Sequence, residues 1–147
     1  MGGDALEISA WGMRVQRLRM EVLALNVSHM DTTSARTETV RTPEGEEVVL
    51  HHPYRRRRVV LSAGPGGRPV ARLVEDGSPL RSEFDPGHPH AVPSASGRED
   101  AGRVYYPNVD PVVEMVEMVA ASRAYEANLS AAEAAKAMVA ASLRILA

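Results

Sequence analysis

The chain has 147 residues, enough for one modest core. Apolar residues make up 44 % and charged residues 24 %, an ordinary globular mixture, and a net charge of −2 excludes any global attraction to nucleic acid or anionic membrane. There is no cysteine, which excludes disulfides, thiolate zinc sites and cysteine nucleophiles.

The first residues, Met1-Gly2-Gly3-Asp4, carry no basic region, and no unbroken apolar run follows. No cleaved secretory signal is expected. No apolar stretch approaches the roughly 20 residues that span a bilayer.

The first predicted element is a helix over residues 4–30. Asp4 reads as its N-cap, with Glu7 three residues later as in a capping box. Its apolar residues form two stripes. Ile8, Trp11, Val15, Leu18, Val22 and Leu25 keep the 3-4 spacing of a coiled-coil seam. Leu6, Met13, Met20, Leu23, Val27 and Met30 run along the other side. A helix with two apolar faces needs two neighbours, and a chain this small supplies one.

Residues 31–107 read as a small β-rich middle region punctuated by Gly and Pro. Glu47–Leu50, Arg58–Leu61 and Pro69–Glu75 are the predicted strands, and Ala63–Arg68 is a predicted hairpin loop. Ser78–Gly102, rich in Pro, Gly, Ser and His, reads as an irregular, mobile connection.

The last predicted element is one long helix over residues 110–146. Asp110 is its N-cap, Pro111 occupies the first helical position, and Glu114 favours the positive helix end. Met115, Met118, Ser122, Tyr125, Leu129, Ala132, Lys136, Val139, Leu143 and Leu146 keep the seam spacing. At ~1.5 Å per residue this helix spans roughly 55 Å, long for so small a domain. The expected fold is α+β, one structural unit in which the two long terminal helices pair as a coiled-coil hairpin beside the β region. Seams left unfilled point to self-assembly or co-assembly through those helices. Met13, Met20, Met115, Met118 and Met138 fit both adaptable packing against neighbours and plain core filling.

Several local patterns have a sharp and a bland reading. Arg55–Arg58 is a short basic run entering a strand, which splits it over two faces. It reads as a solvated strand end or a charged subunit contact, not a nucleic-acid patch. His88 and His90 with Asp85, His51 and His52 offer metal-ligand types, but prolines shape that loop and a plain turn is expected. Gly64-Pro65-Gly66-Gly67 lacks the Gly-Lys-Ser/Thr ending of a phosphate loop. Glu75 and Asp76 read as strand-end charges, and no serine sits in a nucleophile elbow. No catalytic residue, metal site or cofactor is expected.

Three segments carry a family resemblance. Tyr106-Pro107-Asn108-Val109-Asp110-Pro111, then Glu114-Met115-Val116, then Ser122-Arg123-Ala124-Tyr125-Glu126-Ala127-Asn128 is similar to the C-terminal pattern of flagellar rod and hook-type axial proteins. Arg41–Gly45 with Pro53–Val60, and Val74–Arg81 with Phe84–Pro89, resemble the proximal-rod members of that family in particular. Near the N-terminus Asn26 and Thr32 match the family pattern, while Ser28 and His29 depart from it, as does Asp110 where Asn is usual.

The resemblance implies a structural subunit of the flagellar basal-body rod, not an enzyme. It implies export without a cleaved signal by the flagellar type III apparatus, and polymerisation into a hollow drive shaft crossing the periplasm. The implied partners are further copies of the chain, the rod proteins FlgB, FlgF and FlgG, and the rod-base protein FliE. It adds Asn26 and Asn128 to the seam residues as assembly candidates. A non-flagellar helical adaptor and a small metal-dependent binding module using His88 and His90 are the other readings.

Overall fold

A computed structural model describes residues 2–64 and 69–146, with side chains from Ala5 to Arg144 within those bounds. In chain order come helix α1 (Gly2–Ser28), strands β1 (Arg36–Arg41), β2 (Glu47–His52), β3 (Arg57–Ala63), β4 (Pro69–Glu75), β5 (Arg81–Phe84) and β6 (Arg103–Tyr106), and helix α2 (Pro111–Leu146). The class is α+β, as the sequence predicts. The strands pair as three two-stranded sheets, β1 with β2, β3 with β4, and β5 with β6.

Two element boundaries differ from expectation. The first helix starts at Gly2, so Asp4 lies inside it instead of capping it. It stops at Ser28, where the backbone N–H of His29 reaches both Leu25 and Asn26 carbonyls and the last turn tightens. α2 begins at Pro111, directly after Asp110, as the cap signal predicts. Four residues of the predicted Ala63–Arg68 hairpin loop, 65–68, lie outside the described residues.

The sequence missed three strands. β1 pairs antiparallel with β2 from Arg36 opposite His52 to Arg41 opposite Glu47. All six β1 side chains are exposed, so no apolar alternation marks it. β2 supplies the alternation, with Val48 and Leu50 buried and Val49 exposed. The turn between them needs Gly45 at φ 90°, and Thr42 closes it by exchanging backbone hydrogen bonds with Gly45 and Glu46. β5 and β6 are four residues each and pair antiparallel from Arg81 opposite Tyr106 to Phe84 opposite Arg103. β5 corrects the irregular reading of Ser78–Gly102, and the same stretch holds a 3₁₀ turn at Ser94–Ser96 closed by Gly97 at φ 64°. β5, Arg81-Ser82-Glu83-Phe84, holds a single apolar residue, so no alternation marks it.

The chain divides into two compact units, one of residues Met1–Ala24, Arg58–Leu73 and Val112–Ala147, the other of Leu25–Arg57 and Val74–Pro111. α1 contributes to both. The first unit buries Val15, Val22, Leu23, Val59, Ala121 and Ala135. The second buries Val48, Leu50, Tyr54, Val104 and Val109. No helix among the described residues is long and apolar enough to cross a membrane.

Candidate assembly surface

On α2 the inward face is displaced from the predicted seam. Glu114, Ala121 and Ala135 are buried, and Met118, Tyr125, Asn128 and Ala132 are half-buried. These seven positions alternate steps of four and three, the spacing of a helix-packing seam. They share Met118, Tyr125 and Ala132 with the expected row. Elsewhere the row moves back by one residue, from Met115, Ser122, Leu129 and Lys136 to Glu114, Ala121, Asn128 and Ala135. The inward positions are small or polar where the expected row has Met115, Leu129 and Lys136.

A close approach is visible at Gly12. A Cβ placed there would lie 2.5 Å from Asn128 Oδ1 and 2.8 Å from its Cγ. α1 and α2 therefore touch at this point. Asn128 is held in place by its Nδ2, which donates to the Ala124 carbonyl at 2.7 Å.

Bulky apolar residues outside this inward row face outward. Met115 is 57 % exposed, Val116 65 %, Val119 54 % and Leu143 63 %. Val112, Val113, Leu129, Met138 and Val139 are also exposed. Residues 112, 115, 116 and 119 are neighbours on one helical face.

The remaining interface candidates divide three ways. Ile8 and Leu25 on α1 are exposed, Trp11 and Leu18 are half-buried, and Val15, Val22 and Asn26 are buried. Of the predicted α2 residues, Met118, Tyr125 and Asn128 are half-buried, while Met115, Leu129, Val139 and Leu143 are exposed. The side chain of Leu146 lies outside those described.

Asn26 does internal work. It is fully buried, its Oδ1 accepts from the Tyr54 hydroxyl and the Arg57 backbone N–H, each at 2.9 Å, and its Nδ2 donates to the Arg57 carbonyl at 2.7 Å. The amide thus imitates a strand neighbour and fastens the end of α1 to the start of β3. His29 stacks on the Tyr54 ring at 4.8 Å, with its Nδ1 3.1 Å from the Thr32 hydroxyl. This residue, which departs from the family pattern, is therefore built into the same cluster.

Asn108 clamps the next residue of the arginine run. Its Oδ1 accepts from the Arg56 backbone N–H at 3.0 Å. The Arg56 guanidinium lies 3.3 Å from Asp76, both side chains being only 15 % exposed, and Asp76 N–H donates to the Arg56 carbonyl at 2.7 Å. Arg57 approaches Glu75 at 3.7 Å and lies over the Tyr54 ring. Arg56 and Arg57 are therefore engaged within the chain, leaving Arg55 and Arg58 as the exposed members of the run.

The 98–105 segment has its own staple. Arg98 donates to both Asp100 carboxylate oxygens, at 2.8 and 3.1 Å, and the Tyr105 hydroxyl donates to Oδ2 at 2.8 Å. The Arg98 hydrogen bond is the main cause that holds the Asp100 carboxyl below its usual range, and Asp100 in turn raises the Tyr105 phenol. Among the described residues no group of three His, Cys, Asp or Glu side chains is arranged to hold a metal ion.

The sequence of the whole chain points the same way as its surface. Residues 100–145 match the family profile of the flagellar basal body rod FlgEFG protein C-terminal region. The flagellar basal-body rod protein FlgC of Borreliella burgdorferi is 34 % identical, with 97 % of this chain and 96 % of that protein aligned. FlgC of Bacillus subtilis is 35 % identical over 96 % of this chain and 95 % of its own length. FlgC of Salmonella typhimurium is 31 % identical, covering 92 % and 91 %. The match extends through both terminal helices and the β region between them, so the chain belongs to the FlgC family of flagellar basal-body rod proteins, structural components of the flagellum and not enzymes.

Proposed function

We propose that this chain polymerises through its terminal helices into the proximal rod, the hollow shaft that transmits torque and surrounds the export channel. The observation that carries this is the outward apolar row of α2, Met115, Val116 and Val119, lying beside the inward row that includes Glu114, Met118, Ala121 and Tyr125. The inward seam supports pairing of α1 and α2 as a coiled-coil hairpin, with Gly12 against Asn128 as one contact. The outward row is then the surface for neighbouring subunits. Each Leu or Val buried there is worth about 1.5–3 kcal/mol, so several per subunit make a contact that survives torque.

The partners are further copies of the chain, the rod proteins FlgB, FlgF and FlgG, and the rod-base protein FliE. The flagellar type III export apparatus delivers the subunit to the periplasm without a cleaved signal peptide. The test is an immunoblot of detergent-purified hook–basal bodies from the native organism, with a deletion strain complemented by wild type or by Val116→Asp. The expected result is the protein in that fraction, loss of hooks and swimming on deletion, and no rescue by the variant despite normal expression. Absence from the fraction with unchanged swimming would favour a helical adaptor that reuses the scaffold.

A further inference from the structure

All five histidines fall within the unit formed by Leu25–Arg57 and Val74–Pro111, and three of them meet. The ring of His51, near the end of β2, stacks on that of His90 with centroids 4.5 Å apart. His88 meets His90 edge-on at 5.3 Å. His88 and His90 lie on a double turn, closed by His88 N–H to the Asp85 carbonyl at 3.2 Å and Ala91 N–H to the His88 carbonyl at 3.0 Å.

Each ring has its Nδ1 engaged. Thr33 Oγ1 lies 2.7 Å from His90 Nδ1, and Ser34 Oγ 2.8 Å from His51 Nδ1. The backbone N–H of His90 donates to His88 Nδ1 at 3.0 Å. An amide N–H can only donate, so in this contact His88 Nδ1 is the acceptor. The Thr33 and Ser34 hydroxyls can rotate to donate or accept, and so tolerate either protonation state. The His88 contact tolerates one.

We propose that His51, His88 and His90 form a proton-operated latch, which when neutral holds the Asp85–Ala91 turn against Thr33, Ser34 and β2, and when protonated releases it. Two imidazolium rings at stacking distance repel. Protonated His88 turns a second N–H toward the His90 N–H and breaks their bond. The carboxylate on the same turn, Asp85, accepts from the Gly87 N–H at 3.1 Å. Among the described residues the histidine paired with a carboxylate is His52, 2.9 Å from Glu38. Asp100 lines the same small cavity as His51, but Arg98 and Tyr105 occupy it. The charged groups that act on His90 are His51 and His88, and burial, with those two, lowers its basicity.

The sign follows from that lowering. A His90 value below the ordinary 6.5 means the folded state binds the proton later than the unfolded chain. Its stabilising contribution is complete above about pH 6.5 and is lost as pH falls through the lower folded value.

The test is amide hydrogen exchange on the full chain at about pH 7.5 and about pH 5, corrected for the intrinsic pH dependence of exchange. Protection at His90 and Ala91 is expected to fall at least about tenfold relative to the β1–β2 amides. His88→Gln and, separately, His51→Gln are each expected to shrink that drop, because neither glutamine titrates. The ¹⁵N shifts of the wild-type imidazoles at neutral pH are expected to show His88 protonated on Nε2, a readout that needs no variant. Unchanged protection at low pH, parallel loss across β1–β2, a drop undiminished in both variants, or an Nδ1–H His88 would each overturn the latch.

Discussion

At the scale of single residues, the largest local stake is Asn26. Three hydrogen bonds converge on one fully buried amide. Removing it takes this partner from the Tyr54 hydroxyl and from both backbone groups of Arg57. Asn26→Ala is expected to destabilise the chain by roughly 2–5 kcal/mol, read as a lower midpoint in urea denaturation. Asn26→Asp keeps the shape and the acceptors but loses the donor to the Arg57 carbonyl and buries a charge. It should cost at least as much as the alanine variant at neutral pH. An aspartate variant as stable as wild type would show that shape alone matters there. The family motif thus has a physical content. Asn26 and Asn108 suit these places because a carboxamide offers a donor and an acceptor side by side, as a neighbouring strand's backbone does.

At the scale of elements, α1 and α2 depend on side chains too small to be noticed in a search for apolar stripes. Gly12 occupies the point where α1 meets Asn128. Glycine costs an isolated helix about 1 kcal/mol relative to alanine, and close contact is the compensation. Gly12→Leu gains helix propensity but drives a branched side chain into Asn128, whose amide is already tied to Ala124. Overpacking of this kind costs about 1–3 kcal/mol, so the variant is expected to melt below wild type despite its better propensity. A higher melting temperature would mean the helices separate freely at that point. On α2 the small residues Ala121 and Ala135 are buried. Long proline-free runs report helix existence well, whereas the inward row of α2 mixes Ala, Asn and Glu with Met118 and Tyr125, so a search for apolar stripes recovers only part of it. The short strands β1, β5 and β6 were hidden for a related reason. β1 is polar on both faces, and its partner β2 alone carries the alternation. The assembly candidates are chosen from the sequence mainly by apolar bulk and spacing, which do not say which of them pack inward.

At the scale of the whole molecule, the chain carries more apolar helix surface than it covers. Ile8 is 69 % exposed, Val112 67 % and Met138 64 %, and Leu143 lies close to the chain end. The β region is different, because its polar clamps close on residues of the same chain: Asn26 on Arg57, Asn108 on Arg56, Arg98 on Asp100. Such bonds form as soon as the monomer folds, whereas the outward face of α2 gains burial only from neighbours. The two regions should therefore differ in stability before assembly. Helix ends without tertiary burial are marginal in water, since most helical stability in proteins comes from packing an apolar face. In a dilute monomer the start of α1 and the stretch of α2 beyond Ala135 are expected to exchange amide protons close to the unstructured rate, while the amides around Val48, Tyr54 and Val104 stay protected. On incorporation into purified rods both termini should become protected. Under the proposed function this order would suit a subunit that is exported before it assembles, because the burial that orders the helices would come from neighbouring subunits. Strong protection of both termini in the dilute monomer would show that the chain covers its own helices, and the outward apolar row would then need an explanation other than assembly.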